Sequence, residues 1–408
     1  MPPSGDPTRY DRIAAAIDRH GLDVLLALTP ENAEYLSRRH NYIASHWRVP
    51  GLFSAAVGRD GRLAVVSGDF GVDPTAPPPY PVFAYRIWTE AVDVRAAPGA
   101  TIAERILAVR PERLLRPAQY DLDEVYDRVR QAVEAVAGNP KTIGGDLREV
   151  AAEARDAVAQ RFPGATLTDA SAIFDELRAV KDTEEIVYSR LAAELTEAGI
   201  AGAVARLKPG MTESAVNAAY QIAVHECVMA DARFAAFRQA EGVANVGFGA
   251  DASKIVGSGQ TIKFDMQVDV GGYHSDIGRT FAIEPTAEQR AVYAALRATL
   301  AAAETRVRPG VTFADVFWTG TNAMRSAGFD NYSRGHLGHS VGLAHYFEEP
   351  PFVAPDEAAP LRPGMIVSLE LPYYLYGVGA FQLERILLVT NDGHEALDRL
   401  PFELELAP

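Results

Sequence analysis

Apolar residues in the first part of the chain recur first at helical spacing and then in short unbroken runs. PTRYDRIAAAIDRH (7–20) reads as an amphipathic helix, with Asp6 placed to cap it and Gly21 to end it. LDVLLAL (22–28) follows as a buried strand. TPENAEYLSRR (29–39) restarts a helix with Thr29 as cap and Pro30 at its first position. LFSAAVG and RLAVVSG flank the turn RDG and predict a hairpin, and the Pro-rich DPTAPPPYPV (73–82) predicts a surface loop. This α/β alternation gives way through DELRAVKDTEEI (175–186) to a long Ala-rich helix. Asp182 stands at its N-cap, with Glu184 and Glu185 in the first turn. The expected organisation is an α/β domain over residues 1–175 and an α+β domain over 176–408.

The second part contains an echo of itself. RLKPGMTESAV (206–216) and RVRPGVTFADV (306–316) share a basic residue, Pro-Gly, Thr and Val in register, one hundred positions apart. A helical pattern precedes and follows each. Pro-Gly after a helix is common punctuation, but a match over helix, turn and helix points to duplicated, pseudo-symmetric halves with a site at their seam.

Strand periodicity is clearest in FDMQVDVGGYHSDIGRTF (264–281), where aspartates interrupt an apolar run. A two-residue turn at Gly271-Gly272 sets Val270 opposite Tyr273 and Gln267 opposite Asp276. Residues 265, 267, 269, 274, 276 and 278 then share one face, and Phe264, Met266, Val268, Val270, Tyr273 and Ile277 the other. Either the polar face is a solvated edge or its carboxylates gather around a cation. Elsewhere in the same part, HLGHSVGL carries His336 and His339, RPGMIVSLELPYY carries Glu370 and GAFQLERILLVT carries Glu384. A glutamate inside a run such as IVSLEL is costly to bury unless paired or metal-bound. Carboxylates with one imidazole suit Mn²⁺, Fe²⁺, Co²⁺ or Zn²⁺.

Composition narrows the function without deciding it. The 408 residues are 48% hydrophobic and 23% charged, as in ordinary globular proteins. A net charge of −15 argues against nucleic acid or an anionic membrane as partner. Cys227 is the only cysteine, which excludes an internal disulfide. MPPSGDPTRYDR has no apolar stretch of the signal-peptide kind, and no apolar run reaches membrane-spanning length, so a cytoplasmic location is expected.

With these residues assembled, the sequence resembles the pita-bread metallohydrolases, the superfamily of creatinase, prolidase, Xaa-Pro aminopeptidase and methionine aminopeptidase. The likeness extends over nearly the whole chain. GLDVLLALTPENAEYLS is similar to the creatinase-type N-terminal domain, and LRAVKDTEEI, GGYHSDIGRTF, GHSVGL and RPGMIVSLE to the catalytic domain. The resemblance implies metal ligands at Asp265, Asp276, His339, Glu370 and Glu384, two divalent ions (Mn²⁺ first, Co²⁺, Fe²⁺ or Zn²⁺ otherwise) and a homodimer. It implies a hydrolase that cuts an amide C–N bond of a short peptide or other small molecule. Glu370 would move the proton, and His336 and His345 would stand close to the reacting carbonyl.

The chain also departs from the family's pattern. Phe248 in NVGFGADASKIV and Gln382 stand where its peptidases carry His and Arg, so both are expected to face the substrate. Tyr346, also expected to face the substrate, takes the spacing of a second histidine, with His345 one place earlier, and Gln267 replaces a small residue. These changes leave three readings. The first is an Xaa-Pro dipeptidase or aminopeptidase. The second is a recruited relative of the creatinase or ectoine-hydrolase kind, or a metal-dependent lyase. The third is a binding module without catalysis.

Overall fold

A computed structural model describes residues 8–71, 77–111, 115–343 and 348–406. Contacts divide the chain into two units, Met1–Leu177 and Arg178–Pro408.

The first unit is built on a mixed six-stranded sheet in the order β4-β3-β2-β1-β5-β6. Its strands are β1 (Val24–Ala27), β2 (Ser54–Gly58), β3 (Leu63–Gly68), β4 (Val82–Tyr85), β5 (Thr142–Gly145) and β6 (Thr166–Asp169). The expected hairpin is β2–β3, paired antiparallel from Ser54↔Val66 to Val57↔Leu63. α1 (Arg9–Arg19) begins where Thr8 accepts a hydrogen bond from the Asp11 N–H. Asp6, the expected cap, lies outside the described residues, as does the start of the Pro-rich loop. α2 (Pro30–Ser37) has Thr29 at its cap and Pro30 in its first turn, as expected, but the Thr29 hydroxyl does not cap it. Instead the buried carboxylate of Asp146 receives the Leu28 and Thr29 N–H groups and the Asn32 amide.

The second unit contains the duplication. α3 (Tyr42–Trp47), α4 (Ile102–Val109), α5 (Leu122–Ala137), α6 (Ala152–Gln160) and α7 (Ser171–Ala179) precede its long helix α8 (Thr183–Arg206). α8 opens on a capping box between Asp182 and Glu185, and its sequel is α9 (Glu213–Ala230). The second pair is α10 (Ala287–Glu304) and α11 (Phe313–Ser326). The turns between them repeat bond for bond. Gly210 N–H donates to Val256 O and Gly310 N–H to Leu361 O; Glu213 N–H donates to Lys254 O and Phe313 N–H to Ala359 O. Gly210 and Gly310 hold φ of +88° and +83°, conformations that glycine adopts at no steric cost. Thr212 and Thr312 cap the helices that follow.

Each half contributes one sheet. The first is β10-β8-β7, with β7 (Phe237–Val246), β8 (Thr261–Val270) and β10 (Ile277–Ala282); β9 (Tyr273–His274) pairs with β8. The second is β12-β11-β13-β16-β17, with β11 (Gly338–Ser340), β12 (Glu349–Phe352), β13 (Ile366–Glu370), β16 (Glu384–Val389) and β17 (His394–Ala396). β14 (Tyr373–Leu375) and β15 (Gly379–Phe381) form a separate hairpin. The register across Gly271-Gly272 is the expected one, with Val270 opposite Tyr273 and Ile277 opposite Met266. Phe264, Met266, Val268, Val270 and Ile277 enter one hydrophobic core with residues of α8 and α9. That burial pins the register, because a one-residue slip would expose all five.

Candidate metal centre

The face of the hairpin opposite that core carries the carboxylates. Gln267 sits across from Asp276, and its Nε2 donates to Asp276 Oδ1 at 3.1 Å. Asp265 lies diagonally on the same strand, within 3.0 Å of Lys263 Nζ through Oδ2. The third aspartate does something else. Asp269 Oδ1 accepts the Gly272 N–H at 2.6 Å and so closes the turn.

The second half supplies three groups. Glu370 and Glu384 are direct partners across β13 and β16. His339 in β11 faces them, its Nδ1 held 3.0 Å from Ser340 O, which leaves Nε2 toward the carboxylates. Nε2 lies 3.7 Å from Asp276 Oδ2 and 3.8 Å from Glu384 Oε1. One ligand atom from each of Asp276, His339 and Glu384 falls within 4.8 Å of the others. Those separations are too long for hydrogen bonds. They match ligands placed about 2.0–2.2 Å from a shared ion. Asp265 and Glu370 line the same cavity of about 260 Å³, together with Glu241, Gly242, Val243, Gln267 and Glu348. The donor set therefore fits divalent metal: hard oxygens, one oriented imidazole and room between them.

Electrostatics agree with that fit. Burial first, and then the charges of Glu384 and Asp265, push the Asp276 carboxyl well above its ordinary range. Glu384 is raised in the same way by burial, Asp265 and Glu370. Burial lowers His339, favouring the neutral imidazole that metals require.

Other expected site residues are arranged differently. His336 Nδ1 lies 3.2 Å from Glu370 Oε1, beside the centre. Gln382, expected to meet substrate, is almost wholly buried and directs its amide N–H to Glu370 Oε2 (3.3 Å) and Glu384 Oε2 (3.0 Å). It braces the two glutamates instead. Phe248 is not among the cavity residues; its ring stacks on Tyr376, centroids 4.4 Å apart. His345 and Tyr346 lie outside the described residues.

The sequence reasoning passed over several supporting groups. Arg334 Nη2 donates to Glu370 Oε1 at 3.1 Å, and Ser368 Oγ to Glu384 Oε1 at 2.8 Å. Arg279, fully buried, donates to Glu384 O and pairs with Asp398 at 2.5 Å. The GRTF run following Asp276 was the one available hint, since a charge inside an apolar strand asks for a partner.

A model of metallopeptidase family M24 matches residues 188–391, half of the chain and the whole of this centre. The chain belongs to that family. The Bacillus subtilis protein named "Putative dipeptidase YkvY" is 28% identical over 242 residues, which is 59% of this chain and 66% of that protein. An uncharacterized peptidase of Staphylococcus aureus is 28% identical over 231 residues, 56% of this chain and 65% of that one. The chain thus spans just under two thirds of the length of these curated relatives. Among solved structures, the Thermococcus sibiricus prolidase superposes with a TM-score of 0.76 at 17% identity, covering 98% of this chain and all of that one. The Bacillus anthracis Xaa-Pro dipeptidase gives 0.73 at 18%, covering 98% and 99%. At such identities the M24 likeness establishes the fold: a creatinase-like N-terminal domain followed by a pita-bread domain of duplicated halves.

Proposed function

We propose that this protein is a metal-dependent hydrolase of amide C–N bonds in short peptides, of the Xaa-Pro dipeptidase or aminopeptidase kind. The observation that carries the reading is the convergence of Asp276, His339 and Glu384 on one cavity that Asp265 and Glu370 also line. These five would hold two divalent ions, Mn²⁺ before Co²⁺, Fe²⁺ or Zn²⁺. When bound, such ions acidify a water and polarise the substrate carbonyl. Ser340 O keeps the His339 ring in place. Glu370, flanked by His336 and Arg334, carries the proton to the departing nitrogen. His336 and His345 are the groups we assign to the growing charge on the carbonyl oxygen. A cytoplasmic homodimer belongs to the same proposal; no helix among the described residues is long and apolar enough to cross a membrane.

One observation favours a second reading, a relative recruited to a non-peptide amide or amidine. The position where the resemblance leads one to expect a histidine carries Phe248, occupied with Tyr376 rather than with the cavity. Proline release from a panel of Xaa-Pro dipeptides, with metal-stripped and Mn²⁺-loaded protein, decides between them. Metal-dependent release that Asp276→Asn abolishes is the expected result. No release from any dipeptide by fully loaded protein would overturn the peptidase reading and favour the second.

A further inference from the structure

We infer that this centre prefers a substrate whose side chain, beyond the peptide's own terminus, carries a positive charge, and that Glu241 is the residue that selects it; the inference rests on the hydrolase reading above.

Three residues stand in a row on the cavity face of the first sheet. Glu241 on β7 is the direct register partner of Gln267 on β8, and Gln267 in turn faces Asp276 across the hairpin. Directly opposed residues of neighbouring strands project from the same face, so the exposed Glu241 side chain and the buried Gln267 amide line the same side of the cavity. The amide is committed on one side only. Its N–H donates to Asp276, while its Oε1 is buried and has no hydrogen-bond partner among the described residues. Gln267 is 3% exposed and lines the cavity, so the open acceptor belongs to a walled space. A buried acceptor without a donor favours a ligand that brings an N–H.

Charge points the same way. Among the described residues, the ionisable groups that line the cavity besides the proposed metal ligands are Glu241 and Glu348, with no Lys or Arg. The nearby cations lie outside the lining, Lys263 on Asp265 and Arg334 on Glu370. Lys263 and Arg334 are committed to Asp265 and Glu370, whereas Glu241 and Glu348 face the cavity directly and are the charges that a substrate group there would meet first. An ammonium or guanidinium beside Glu241 would satisfy both the carboxylate and the Gln267 oxygen. A carboxylate placed there would be repelled.

The test compares lysyl-proline with norleucyl-proline, which differ by one side-chain charge, on the full Mn²⁺-loaded chain. The readout is their ratio, of kcat/KM if the dipeptides are cleaved and of Kd by calorimetry if they are not. Absence of turnover would thus count against the hydrolase reading while the charge preference is still measured. We expect the wild type to favour lysine by roughly tenfold at low salt, less at high salt, as for one charge pair in a partly wet cleft. Glu241→Gln should bring the ratio close to one, and a ratio taken within one protein is insensitive to partial loss of fold. A wild-type ratio of one or below, or a preference unchanged in Glu241→Gln, overturns the assignment.

Discussion

Glu370 and Glu384 stand directly opposite each other on adjacent strands, and the side-chain amide of Gln382 donates to both. Like charges in that relationship repel. Here they are also buried, so the centre is built against the stability of the metal-free fold. Gln382, Ser368 and Arg334 offset part of that repulsion by hydrogen bonding.

Gln382→Leu keeps the bulk of the side chain and removes the donor. Metal affinity should fall roughly 10–100-fold, the usual loss when a supporting hydrogen bond to a ligand is removed. Equilibrium dialysis with Mn²⁺ measures it. An unchanged affinity would make the amide a space filler.

Asp276→Asn removes one charge from a buried acidic cluster. The metal-free variant should melt no lower than the metal-free wild type, because an uncompensated buried charge has gone. The rise in Tm that Mn²⁺ gives the wild type should disappear. Melting curves with and without metal check both parts; a retained metal-dependent rise would remove Asp276 from the ligand set.

Gly338 immediately precedes His339 and holds φ of +144°, and a Cβ there would lie 2.0 Å from Ser368 O. Gly338→Ala must therefore displace β11 or β13. A loss of about 2–4 kcal/mol in urea unfolding is expected, together with weaker metal binding. Wild-type stability in the variant would show that the strand pair yields easily.

Asp146 makes a stability prediction in the first unit. Asp146→Ala strands the Leu28 and Thr29 N–H groups and the Asn32 amide, at a cost of about 2–4 kcal/mol. The size should depend on pH. Burial raises the Asp146 carboxyl to about 6 from 3.8, so the native state holds this proton more tightly than the unfolded chain does. The resulting stability is fully present below pH 4 and is lost as pH rises through about 6. The difference between wild type and variant should accordingly shrink from pH 4 to pH 7. Growth over that range would mean that these three donors outweigh burial.

What the sequence reveals follows the range of the interaction. The hairpin register, the Gln267–Asp276 contact and the Asp182 cap depend on residues within about ten positions of each other, and turn chemistry with alternation is enough to place them. The paired halves are legible because the duplication left its Pro-Gly turns and Thr caps in register. Lys263 beside Asp265 lies within the same local range, two positions away on one strand, yet nothing in the alternation singles it out. Arg334, in the segment before β11, meets Glu370 on β13, and Ser368 on β13 meets Glu384 on β16; no local pattern encodes either meeting. Asp269 shows the opposite difficulty: its spacing matches the other aspartates, yet its carboxylate serves the Gly-Gly turn. Thr29 and Asp146, 117 positions apart, exchanged the expected helix cap for a tertiary one.

The two halves divide the centre unequally. Asp265 and Asp276 come from the first, and His339, Glu370 and Glu384 from the second. Neither half possesses a complete set of donors. The centre is in effect an interface folded into one chain, and an ion seated there acts as a rivet across the joint. An ion held by all five would tie the stability of that joint to metal concentration, because parting the halves would separate the aspartates from the histidine and glutamates.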